Sequence, residues 1–168
     1  MGKRSTKENK NIYQLRREEM EWTRERASEQ LAFMSADRIE KIESEKSLPH
    51  PDEILAMSKC YKSPDLCNYY CSHECPIGQE YVPELKMKDL SQIVLEMLAS
   101  LNNLEKEKER LIEITADGEI TEDEYHDFTK IQGQLNRISQ SVDSLQLWLQ
   151  KTIADGKIAA DLKAGVEE

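Results

Sequence analysis

The sequence predicts an all-α protein: a small helix-turn-helix bundle, then a Cys-containing helical segment, then a long antiparallel helical hairpin. Three observations predict it. Apolar residues recur at spacings of three and four along most of the chain, with little alternation of the strand type. The composition, 38% hydrophobic with 33% charged, is that of a soluble, helix-rich chain. Only six glycines and five prolines interrupt its 168 residues. The expected organisation is a flexible basic arm over 1–10, a helix-turn-helix domain over 11–62, a Cys-rich helix and connector over 63–84, the hairpin over 85–156 with a possible role in dimerisation, and a tail over 157–168.

The elements follow in order. Asn11 to Glu21 reads as a first helix with Ile12, Leu15, Glu19 and Trp22 on one side. Thr23 is placed to cap a second helix, in which Ala27 and Leu31 fall four apart, and Ser35 to cap a third. The third turns Ile39 and Ile42 inward and leaves Asp37, Arg38, Glu40 and Lys41 outward. The run Ser47 to Glu53 stops the chain and restarts it, with Pro51 suited to the first helical position and two acids in the first turn favoured by the dipole. Ile54, Leu55, Met57 and Ser58 continue that fourth helix and close the small core.

Residues Asn11 to Tyr61 resemble the Cro/repressor-type (XRE-like) helix-turn-helix regulators of bacteria and phage. The resemblance rests on Ile12, Leu15 and Arg16 in the first helix, Thr23-Arg24-Glu25 where the family begins its second helix with Thr-Gln-Glu, Ile39 to Glu43 closing the recognition helix, and Lys46 with Pro49 behind it. Two glycines of the family pattern are replaced. The chain runs Leu31-Ala32-Phe33-Met34-Ser35 between helices two and three, with one extra residue, and has Met20-Glu21-Trp22 ahead of the threonine. The resemblance implies a sequence-specific transcriptional regulator that binds double-stranded DNA, as a homodimer. It implies that Arg24, Ala36, Asp37, Arg38 and Lys41 face the DNA, with Arg38 the best candidate to read guanine, and that Thr23, Ser35 and Lys46 touch phosphates.

Charge divides along the chain. Residues 1–62 hold 13 Lys+Arg against 12 Asp+Glu, and residues 63–168 hold 10 against 21, within a net charge of −10. A near-neutral front half is thin for a duplex-binding module, because phosphate neutralisation supplies most non-specific affinity. The same residues also read as a solvated face of mixed charge. Asp37 and Glu40 either read cytosine amino groups or mark a module turned from DNA toward a protein partner. That second reading is a non-enzymatic helical interaction protein, or nucleic-acid mimic, on a reused scaffold.

From Ser63 the character changes. If Leu66 to Pro76 is helical, Cys67, Cys71 and Cys75 recur every four residues and share one stripe, with Cys60 and His73 close in sequence. Such a set contains enough soft ligands for zinc, although its spacing fits no common zinc or cluster motif; buried thiols and redox chemistry are the other readings. Pro76-Ile77-Gly78 reads as the end of this segment and Gln79 to Glu84 as an extended connector.

The back half carries two apolar stripes, Leu90 to Ile112 and Phe128 to Leu149, separated by Ala116-Asp117-Gly118, with Thr121 and Glu124 as a capping box. Glu113 to Glu124 shares a glycine, an apolar residue and a final glutamate with calcium loops but lacks the leading Asp. A hairpin of two helices has too little core of its own, so further apolar surface is expected to meet the first domain or another copy. No enzyme signature is present: no phosphate-cradling glycine loop, no nucleophile elbow, and three scattered histidines. No run of about 18 apolar residues exists and MGKRSTKENK lacks a signal-peptide core, so the expected place is the cytoplasm.

Overall fold

A computed structural model describes residues 10–158; the basic arm, apart from Lys10, and the tail from residue 159 lie outside it. Among the described residues there are eight helices and no strand: α1 (Ile12–Glu19), α2 (Arg24–Leu31), α3 (Ala36–Glu43), α4 (Pro51–Cys60), α5 (Asp65–His73), α6 (Pro76–Tyr81), α7 (Leu90–Ile114) and α8 (Tyr125–Ala154). None of them is long and apolar enough to cross a membrane. They form two compact units, one of residues up to Glu84 together with the chain from Gln150 onward, the other Leu85–Leu149.

Local chemistry sets the starts of the first helices. Asn11, Thr23 and Ser35 each accept a hydrogen bond at the side-chain oxygen from the backbone N–H three residues on, which satisfies one of the orphan donors of α1, α2 and α3. Pro51 opens α4, and the Glu53 carboxylate reaches back to the His50 N–H at 2.7 Å. These caps were all expected except Asn11's and the Glu53 return.

The bundle closes on Tyr13, Ala27, Leu31, Met34, Ile39, Ile42, Ile54, Met57, Tyr61 and Leu66, with Trp22 set edge-on to Tyr61 at 6.1 Å. The inward face of α1 corrects the expected one. Tyr13, Gln14 and Arg17 are buried while Leu15 is 44% exposed, because Arg17 and Tyr13 have partners inside the bundle that a hydrophobic count does not register.

Two turns of the bundle hold a non-glycine residue at positive φ, Glu21 at 59° and Ala32 at 60°, where glycine would sit without strain. At Ala32 the Phe33 N–H donates to the Leu31 carbonyl at 2.6 Å, a positive-φ γ-turn between α2 and α3. The Ser28 hydroxyl then ties down the Met34 carbonyl at 2.7 Å.

Residues 79–81 are helical where the extended connector of Gln79 to Glu84 was expected. Pro76 does not end the segment but opens α6, since its fixed φ and missing N–H fit the first helical position. Gly78 lets α6 lie against α5: a Cβ there would overlap the Cys71 backbone carbonyl. In the second unit, Arg110 pairs with Asp127 at 2.8 Å and Lys130 with Glu107 at 2.5 Å, which fixes α7 and α8 as an antiparallel hairpin. Gly118, at φ 79°, makes its turn. Thr121 contributes only half of the expected capping box: its N–H and its hydroxyl both donate to Glu124, and α8 begins after that residue.

Candidate functional site

The candidate site is the α2–α3 pair, and a buried carboxylate braces it. Glu43, at the last turn of α3, has a side chain with no exposure. Arg17 of α1 donates through Nε to Oε1 at 2.5 Å and through Nη2 to Oε2 at 2.9 Å, and Arg24 at the first turn of α2 donates through Nε to Oε2 at 2.8 Å. Arg17 also donates to the Trp22 carbonyl at 2.5 Å. One acid thus joins three helices. Burial works against the Arg17 charge, but the Glu43 bonds and charge more than offset it and its pKa stays above the ordinary arginine value.

A second strut holds the other end of α3. Arg38 donates through Nε and Nη2 to the two Glu53 oxygens, at 2.7 and 2.6 Å, and through Nη1 to the Ser47 hydroxyl at 2.7 Å. Its Nη2 also reaches the Leu48 carbonyl at 3.0 Å. The fork expected to read guanine is therefore spent on α4 and the loop before it. Burial opposes the Glu53 charge, yet the Arg38 bond and the His50 N–H prevail and its pKa lies below the ordinary glutamate value.

The remaining expected residues are placed as follows. Thr23 and Ser35 are caps, their oxygens occupied by the Arg26 and Arg38 N–H groups. Ala36 is half-buried, Asp37 and Lys41 are exposed on α3, and Arg24 keeps a 35% exposed side chain beside Glu43. Lys46 is exposed and pairs with Glu40 at 3.0 Å. The hydrogen bond from Lys46 holds the Glu40 pKa below its ordinary value. Lys41, Lys59 and Lys62 are exposed and form no ion pair among the described residues. All five arginines between Arg16 and Arg38 donate to a carboxylate of the same chain, Arg16 to Asp65 and Glu19 and Arg26 to Glu29. Sequence reasoning missed Glu43 and Glu53 as partners. The near balance of 13 cations and 12 acids over residues 1–62 was the available signal.

The cysteines do not assemble as their spacing suggested. Cys60 ends α4, Cys67 and Cys71 lie on α5, and Cys75 is the residue before α6, beyond the break that ends the stripe. All four are free and half-buried. Among the described residues no three His, Cys, Asp or Glu side chains are gathered in a way that would hold a metal ion, at the thiols or at the Glu113–Glu124 turn. Burial pushes the Cys60 thiol up, and burial with the neighbouring Cys75 and Cys67 pushes Cys71 up. His73 stacks on Tyr69 at 4.4 Å with its Nδ1 2.9 Å from the Ser72 hydroxyl, and His50 precedes α4.

Compared with known proteins, the chain matches no family model, no curated protein and no solved structure.

Proposed function

We propose that this chain is a non-enzymatic, sequence-specific DNA-binding regulator that lays α3 in the major groove and acts as a homodimer. One observation carries the reading: two short capped helices, α2 and α3, are locked together through Glu43 while the outer face of α3 stays open to solvent. An eight-residue helix is about 12 Å long, the width of the major groove. Lys41 and Asp37 are the outward side chains free to meet base edges, in place of the Arg38 fork. Lys59 and Lys62, together with Lys3, Arg4 and Lys7 of the arm outside the described residues, supply the remaining charge for phosphates.

A second reading is favoured by the arginine pairing. A module whose arginines from Arg16 to Arg38 are all satisfied internally suits a neutral protein surface as well as a phosphate backbone. Under that reading the acidic back half occupies a protein partner.

Selection separates the two. Full-length protein is incubated with sheared DNA of its host at low and at moderate salt, and the retained fragments are sequenced. The DNA reading predicts one enriched, two-fold-symmetric site with a steep salt slope of about −9 in log–log terms, that of roughly ten phosphates neutralised by the five cations of each protomer. Lys41→Ala should relax selection at one base position with no loss of stability. No retention at low salt sinks the DNA reading and leaves the protein partner.

A further inference from the structure

The hairpin carries two seams, and only one of them is closed within the chain. The inner seam is Ile93, Ser100 and Ile114 on α7 with Ile131 and Ser141 on α8, all buried. One residue further on, Val94 and Leu101 follow Ile93 and Ser100, and Val142 follows Ser141; these are 38%, 43% and 40% exposed. Leu135 and Leu149 repeat the Val142 position at intervals of seven, and are 43% and 42% exposed, while Leu98 between Val94 and Leu101 is 51% exposed. In an antiparallel pair of right-handed helices, a step of one residue past the contact seam turns toward the same side of the hairpin on both helices. The two outer stripes therefore form one apolar face. The Glu107–Lys130 and Arg110–Asp127 pairs set the register and put Val94–Leu101 level with about residues 136–143, so the face lies away from the turn.

We propose that this face is covered by the same face of a second copy of this chain, with the two hairpins antiparallel in a four-helix bundle. The proposal deepens the homodimer of the DNA reading and rests on it for its use, but not for its geometry. Charge selects the occupant. Residues 105–127, at the turn, hold 10 Asp+Glu against 3 Lys+Arg, whereas residues 131–150 hold only Arg137 and Asp143. A second acidic chain can approach closely only where acid is scarce, and the apolar face lies there. Beside it on the same side lie Ser91, Gln132, Ser139 and Gln146, groups that both donate and accept, so a rim of this composition can satisfy itself across a two-fold axis. A basic or acidic partner would find no complementary charge there. Antiparallel placement also sends the two acidic turns to opposite ends, where parallel placement would bring them together.

Sedimentation equilibrium of the full chain without DNA tests this directly. The wild type is expected to be a dimer at about 10 μM, and Leu101→Lys with Val142→Lys to weaken association at least about a hundredfold with helical circular dichroism unchanged. If that double variant loses helix content, Leu98→Gln, at the most exposed position of the face, is expected to weaken association about tenfold. A wild-type monomer at about 100 μM, or variants that dimerise as the wild type does, would overturn the proposal. Dimer affinity should change less than about threefold between low and moderate salt; a rise above tenfold would overturn the antiparallel placement. Because no DNA is present, failure of this proposal and failure of the DNA reading are separate results.

Discussion

The bundle of α1 to α5 buries ten apolar side chains around Ile39 and Met57, whereas the hairpin of α7 and α8, built from helices three times as long, buries four, Ile93, Ile114, Ile131 and Leu147. Length does not decide this; convergence does. Five short helices enclose a volume, so each contributes one or two residues to a common centre, with Met34 and Tyr61 added from the turns. Two long antiparallel helices share a line, and each residue off that line remains half in water. The bundle also carries its ionic struts inside, Arg17–Glu43–Arg24 and Arg38–Glu53, while the ion pairs of the hairpin, such as Lys130–Glu107, stand on its surface. One unit is specified from within. The other is left with a face that asks for a partner.

The largest expected effect comes from breaking the interior strut. Glu43→Ala leaves buried Arg17 with only Glu18, 4.0 Å away, as counter-charge, which should cost about 3 kcal/mol. Tryptophan fluorescence in urea reads the two units apart, since Trp22 belongs to the bundle and Trp148 to the hairpin. The Trp22 transition should move to lower urea and the Trp148 transition should stay. If both move together, the units unfold as one and the contrast drawn above does not extend to their stability.

Next in size is Gly78→Ala. The added methyl would overlap the Cys71 carbonyl, so α6 must lift off α5, at a cost of about 1–3 kcal/mol. Hydrogen exchange should rise over residues 76–81 and over the α5 turn around Cys71, and remain unchanged in α7. A smaller effect, of opposite sign, is expected at the γ-turn. Ala32→Gly removes the strain of a positive φ and should stabilise the bundle by up to about 1 kcal/mol, seen as a higher melting temperature.

These positions also show what the sequence makes legible. Helix starts were readable because a cap is a local event: Thr23 and Ser35 need only an N–H three residues on. The two hairpin helices were readable because the 3–4 spacing repeats over many turns. The inner face of α1 was not, because Gln14 and Arg17 look solvent-bound until Glu43, 26 residues beyond Arg17, is folded against it. Arg38 misled for the same reason, its partner Glu53 lying 15 residues ahead. Pro76 reads equally as the end of one helix and the start of the next. The cysteine stripe failed at one residue, since the helix that would carry it stops at His73 and Cys75 falls outside.

The smallest effect sets two glutamates against each other, Glu53, which is buried, and Glu74, which is half-buried. Burial opposes the Glu53 charge but Arg38 wins, so its folded pKa lies below that of the unfolded chain. Its stabilisation is present above about pH 4.5 and is lost as pH falls through the depressed folded value. Glu74 is the reverse. Burial raises its pKa, and the 2.9 Å bond from the Tyr13 hydroxyl only partly compensates, so at neutral pH its ionised form destabilises the bundle. Lowering the pH through the raised value relieves that cost, down to the unfolded value near 4.3, before the loss at Glu53 begins. Bundle stability should therefore rise slightly from pH 7 toward pH 5 and then fall. Glu74→Gln keeps an acceptor for Tyr13 and carries no charge, so it should stabilise the bundle by about 1 kcal/mol or less at pH 7 and remove the rise while leaving the acid limb intact. Glu53→Gln should do the converse, flattening the acid limb, and it also loosens the Arg38 fork from α4. Under the proposed DNA reading, the freed Arg38 fork should add one selected base position to those of the wild type.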